Sequence, residues 1–256
     1  MTNIRATGAG GPAVRARAAV RPSRRMLHVL LSTQSGIVVL LSINRLSDIT
    51  DGYVADNEFL RWVDLNNLIL ALATLITAHL LVHHLEYDSA RRGGRAHRAV
   101  GIAFLIGVSL YAGSYGEHEV TNYLHERFCT GTSDVGGRLC EIVVYHDDSF
   151  SHYLFFAGFT IINVAIMLTQ VVFPDDRLPR PGETALVTVN SLFIAAGIVA
   201  NLGFEQIGLD LYVVAAVAVL AIVLLVRQPA QLILRYYMVA YVLGLIGAGV
   251  AQLRLS

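Results

Sequence analysis

Residues 150–173 read FSHYLFFAGFTIINVAIMLTQVVF and carry no Asp, Glu, Lys or Arg. About twenty predominantly apolar residues cross the hydrocarbon of a bilayer as a helix, so this stretch reads as a membrane span. Six more stretches of the same kind lie on either side of it, at 27–44, 66–85, 99–118, 184–203, 208–226 and 231–253. A helix in a soluble core keeps one polar face, and these largely lack one. The composition agrees: 15% of the chain is charged, against about a quarter in soluble domains, and the mean hydropathy is +0.57. The expected fold is all-α, a polytopic membrane protein with seven transmembrane helices.

Net charge is zero, but its two signs are kept apart. All nineteen basic residues are Arg. Arg15, Arg17, Arg21, Arg24 and Arg25 precede the first span, and Arg91, Arg92, Arg95 and Arg98 separate the second from the third. Arg177, Arg180 and Arg227 fall in the next two alternate connections. The other connections hold most of the acids: Asp48, Asp51, Asp56, Glu58 and Asp64, then a central cluster, then Glu205 and Asp210. Positive charge marks the cytoplasmic side. The expectation is therefore a cytoplasmic N-terminus and an extracytoplasmic C-terminus, in a bacterial cytoplasmic membrane. Residues 1–25 read as a disordered basic tail, and 26–256 as one transmembrane domain with an extracytoplasmic loop over 119–149. The first span is long and lacks a small-residue cleavage site, so a retained anchor is expected rather than a signal peptide.

The chemistry concentrates in that loop. Between Glu117 and His152 lie four of the nine histidines, seven of the nineteen acids and both cysteines. Charged side chains at a membrane boundary are costly unless water, a metal or a partner receives them. His118, Asn122 and His125 fall at i, i+4 and i+7, on one helix face. His118 and His125 are separated by about 10 Å of helix rise, too far to share one ion on a regular helix. Asp148 and His152 are four apart and share a face as well. The expected metal ligands are His118, Asp148 and His152, with His125 or His146 as auxiliary. Three His with a carboxylate suit zinc, or less well non-haem iron. A zinc-bound water would act as nucleophile, with Glu117 or Asp147 as proton-transfer group. Cys129 and Cys140 bracket ten residues of the same loop, and outside the cytoplasm they are expected to form a disulfide.

Ser114-Tyr115-Gly116-Glu117-His118 is an SxxxH pattern. It resembles the first signature element of the alkaline ceramidase and adiponectin-receptor group, seven-span zinc hydrolases of lipid amides. The resemblance implies site roles for Ser114 and His118, with Asp148 in the place of the separate Asp. The group's late HxxxH pair has no counterpart, because the last three spans contain no His. The nearest substitute is Asp148xxxHis152. The resemblance covers five residues and the span count.

A second group, His79, His83 and His84, sits at the opposite end of the second span, with His28 and His97 nearby in the same layer. Histidines at both faces raise the alternative of a haem-binding electron carrier, with His118–His152 at one face and His28 with His79 or His83 at the other. A metal-free, acid-catalysed isoprenoid cyclase and a non-catalytic receptor or assembly factor are further alternatives. The absence of Lys rules out a retinal Schiff base, and the middles of the spans carry few of the ionisable groups that carriers use. The first expectation is a membrane-embedded metal-dependent hydrolase acting on a lipid-like or isoprenoid-like substrate, with no nucleic-acid partner.

Overall fold

The computed structural model describes residues 23–87, 91–130, 137–204 and 209–255. The regular elements among them are α1 (Arg24–Leu46), α2 (Trp62–Leu85), α3 (Arg95–Phe128), α4 (Gly137–Tyr145), α5 (Ser151–Val172), α6 (Pro181–Phe204), α7 (Leu209–Arg227) and α8 (Leu232–Leu255), plus a short 3-10 turn at Asp48–Thr50. A wide π-type turn, His146–Phe150, joins α4 to α5 without a break. Among the described residues, six stretches of helix are long and apolar enough to cross a membrane, and a further apolar helix, Leu211–Arg227, is shorter. Residues 1–22 of the expected tail lie outside the described residues. Arg24 and Arg25, assigned to the tail, already belong to α1.

The segment 119–149, expected as a loop, is largely helical. α3 runs on to Phe128, because EVTNYLHERF contains neither Gly nor Pro and its polar side chains find partners. Tyr123 Oη donates to the Glu58 carbonyl at 2.5 Å, and Arg127 pairs with the Glu58 carboxylate at 3.0 Å. The connection between α1 and α2 thereby folds over the α3 extension. Its Asp51-Gly52 turn places Gly52 at φ +96°, a conformation a Cβ disfavours.

Two pairs of helices approach closely. α3 meets α5 where Gly107 faces Ile162 and Gly158 faces the backbone of Tyr111; a Cβ on Gly158 would stand 2.5 Å from the Tyr111 nitrogen. α8 meets α6 with Gly244 against Ile198 and Gly247 against Val199. Small residues are what let membrane helices touch in this way. Gly249, on the same helix, has nothing within 4 Å of its Cβ direction. Ala165, Met167, Ile233, Leu234 and Tyr241 fill the interior, while Leu72, Ile102, Leu105, Val219 and Ile246 stay exposed. That apolar outer belt matches lipid rather than water.

The bundle has two chemically distinct ends. At the arginine-rich end, Arg24 donates to Asp175 Oδ2 at 3.2 Å, Glu183 Oε2 at 2.5 Å and the carbonyls of Arg177 and Leu178. It thereby clasps α1 to the α5–α6 connection. Removing one partner from a largely buried ion pair strands the others. Arg24→Ala is therefore expected to cost about 2–3 kcal/mol, read as a lower thermal midpoint in detergent; an unchanged midpoint would show the clasp to be idle. Burial alone would raise the Asp175 carboxyl, but hydrogen bonds from Arg177 and Arg24 outweigh it and hold the group below its ordinary range. Its contribution is thus complete above the unfolded value of about 3.9 and is lost as pH falls through the lower folded value. Thermal midpoints should drop below about pH 4, and less steeply in Asp175→Asn than in the wild type.

Candidate metal centre

The opposite end is built on α3, the π-type turn and the first turn of α2. The π turn decides which side chains enter. On a regular helix Asp148 and His152 would share a face. The wide turn, closed by the Ser151 N–H on the His146 carbonyl, breaks that spacing. Asp147 is rotated inward to 2% exposure, while the Asp148 side chain stays 58% exposed. Two hydroxyls hold the turn. Ser151 Oγ donates to the Asp147 carbonyl at 2.7 Å, and Ser114 Oγ donates to the Ser151 carbonyl at 2.9 Å. Ser114 is thus buried support for the turn, its proton committed to the backbone. π turns of this kind recur at functional sites.

Asp147 is the hub. Its Oδ2 lies 2.8 Å from His125 Nδ1 and accepts from Asn122 Nδ2 at 3.3 Å. Among the described residues its Oδ1 is buried with no hydrogen-bond partner, and it lies 3.7 Å from His118 Nε2. One carboxylate therefore reaches both histidines despite their separation along α3, because it sits between them. His125, Asp147 and Asp148 offer ligand atoms all within 4.8 Å of one another. This trio differs from the expected His118–Asp148–His152 set: His125 and Asp147 replace His118 and His152 at its centre. His152 instead has its ring 5.4 Å from that of His118. Glu117, expected to serve the metal, pairs with His146 Nδ1, and His146 is directed to that carboxylate rather than into the trio.

Around the hub lies a polar shell of which the sequence reading had Asn122 and the acids but not Asn44, Asn67 or Arg61. His118 Nδ1 is 3.2 Å from Glu119 Oε1. Asn67 Nδ2 donates to both Glu119 oxygens at 3.2 and 3.1 Å, and Asn44 Nδ2 donates to Asn67 Oδ1 at 2.8 Å. Arg61 forks onto Asp64 at 2.8 and 2.7 Å, donates to Asn122 Oδ1 at 2.7 Å and pairs with Glu126. Burial works against the Arg61 charge, but the bond to Asp64 and the charges of Asp64, Glu126 and Glu119 more than offset it, so its pKa is raised. The one sequence signal was the Asn66-Asn67 pair opening an apolar helix.

Cys129 and Cys140 form the disulfide, their sulfurs at bonding distance, 1.97 Å. Cys129 caps α3 one turn beyond His125, so the bond ties the end of α3 to α4. Closing a loop of this size stabilises by about 2–3 kcal/mol in the chain-entropy model. The unfolding midpoint of the wild type should fall in reductant, and that of Cys129→Ser/Cys140→Ser should not move further. Equal midpoints for wild type and variant without reductant would refute the contribution.

At the other end of α2, His79 and His83 are exposed while His84 is partly buried. Among the described residues His28 has both ring nitrogens buried without a hydrogen bond. Comparison of the chain with protein-family models, with curated proteins and with solved structures returns no match.

Proposed function

We propose that the chain is a seven-span membrane protein whose His/acid end faces away from the cytoplasm, holds one divalent metal there and hydrolyses an amphiphile with a metal-bound water. The carrying observation is Asp147, a carboxylate 2% exposed with one oxygen unpartnered among the described residues and a histidine and a second carboxylate beside it. A buried, unpaired carboxylate oxygen is costly unless a cation meets it. His125, Asp147 and Asp148 are the core ligands. A histidine and carboxylate oxygens suit zinc first and iron second. The arginine-rich opposite end supports the orientation.

The substrate class follows from depth. α3 has 34 residues, about 51 Å of helix, against about 30 Å of hydrocarbon. If its arginine-rich end starts at one boundary, Glu117 to His125 emerge at the other, where a lipid headgroup or isoprenoid head group lies. The haem reading has less support: beyond the neighbouring His118 and His152 rings, 5.4 Å apart, no observation favours it. A metal-free proton-transfer reading is favoured by one observation, the direct Glu117–His146 pair.

The test is reconstitution in vesicles of mixed ester-, amide- and phosphate-linked lipids, with products followed by mass spectrometry. Zinc-dependent release of a hydrolysis product, lost in Asp147→Asn, is expected. A product formed equally in chelator and lost in Glu117→Gln would transfer the function to the metal-free pair. No product from any class would overturn the hydrolase.

A further inference from the structure

Glu119 is an acid that the proposed reaction does not use, yet it is 5% exposed at the end of a membrane span. Its hydrogen-bond partners among the described residues are one amide and one imidazole. The amide has a fixed direction. Asn67 Oδ1 is occupied by Asn44 Nδ2 at 2.8 Å, so its NH2 must face Glu119. Asn44 is fixed in turn, since its Nδ2 also meets the Val63 carbonyl at 2.9 Å and its Oδ1 accepts from Asn66 at 3.1 Å. Glu119 therefore stands as an acceptor, and the bond at His118 Nδ1 needs a proton on that nitrogen. In the neutral ring Nε2 then carries a lone pair. It lies 3.7 Å from Asp147 Oδ1, itself an acceptor without a donor among the described residues. Two acceptors facing one another across such a gap call for a cation between them. Two ligand atoms on one tetrahedral zinc, each about 2.0–2.2 Å from it, stand roughly 3.4 Å apart.

We propose that Glu119 is a positioning residue for the metal centre: the Asn44–Asn67–Glu119 chain holds His118 with Nδ1–H on Glu119 and Nε2 beside Asp147 Oδ1, so that His118 meets a cation seated at that oxygen. This rests on the metal reading above. It also ties the site to the packing of α1 against α2, because Asn44 and Asn67 belong to those helices. A carboxylate behind a ligating histidine fixes its ring orientation and strengthens it as a ligand; removing such a partner weakens metal binding by about 10–100-fold.

The experiment is titration of the detergent-purified, metal-stripped full chain with zinc, followed by cobalt(II) substitution and its visible d–d spectrum. Glu119→Gln should bind zinc about 10–100-fold more weakly, with the cobalt bands shifted toward those of His118→Ala. Asn67→Ser, which leaves the carboxylate in place, should move in the same direction by less, and it serves as the readout if Glu119→Gln does not fold. Zinc affinity and cobalt spectrum both unchanged in these variants, with the wild type binding normally, would overturn the role of Glu119 alone. A wild type that binds neither metal would overturn the metal reading and this inference together.

Discussion

Gly158→Val is expected to abolish the native bundle, while Gly113→Val leaves it intact. A Cβ at Gly158 would stand 2.5 Å from the backbone nitrogen of Tyr111, 2.8 Å from its Cα and 2.9 Å from the Gly107 carbonyl. These are backbone atoms of α3, which no rotamer change can move. The helices must separate, and with them go the contacts of Phe104, Tyr111 and Ile162, all buried. Overpacking a well-filled interior costs about 1–3 kcal/mol, and more when the obstruction is rigid; here about 3 kcal/mol or more is expected. Gly113 has nothing within 4 Å of its Cβ direction, so the same substitution there should be nearly silent. Thermal unfolding and size-exclusion profiles in detergent read both. A Gly158→Val protein with the wild-type midpoint would show that α3 and α5 do not touch as described. Separating them also parts His118 and His125 on α3 from Asp147 on the π turn, so the same variant should lose its metal.

The second large effect is expected at Asp147. Asp147→Ala removes the acceptor of His125 Nδ1 and Asn122 Nδ2 and the carboxylate between the two histidines. Zinc affinity should fall by about a thousandfold or more, since about 1.4 kcal/mol is each tenfold step and a lost charged ligand forfeits several such steps. The metal-free protein should change far less. Its His125 and Asn122 lose a partner, but the buried charge that demanded them is gone too. Asp148→Ala, at an exposed ligand, should weaken zinc by less than Asp147→Ala. The reverse order would place the centre of the site at Asp148, as the sequence reading had it.

The membrane spans were legible because apolar length is a local property, and the Arg and acid segregation is visible without any contact. The cysteine pair was legible for a similar reason, since two cysteines in one polar segment have few other fates. The identity of the inner carboxylate was not. Whether Asp147 or Asp148 turns inward depends on the π turn between α4 and α5, and nothing in YHDDSFSH announces an extra residue per turn. An α-helical spacing argument paired Asp148 with His152 and left Asp147 aside as a base. The continuation of α3 was missed because polarity was read as loop, whereas EVTNYLHERF is held helical by Glu58, Arg61 and Asp147, distant in sequence. Asn44, Asn67 and Glu119 carried no periodic signal; their meaning comes only from the way α1, α2 and α3 bring them together.

The most direct test is the X-ray absorption spectrum at the zinc K-edge of purified protein loaded with one equivalent of zinc. The His125–Asp147–Asp148 centre predicts a shell of nitrogen and oxygen at about 2.0–2.2 Å, with imidazole scattering beyond it, and no sulfur because both cysteines are paired. A sulfur shell near about 2.3 Å, or a fully hydrated ion without imidazole scattering, would contradict the His125–Asp147–Asp148 centre.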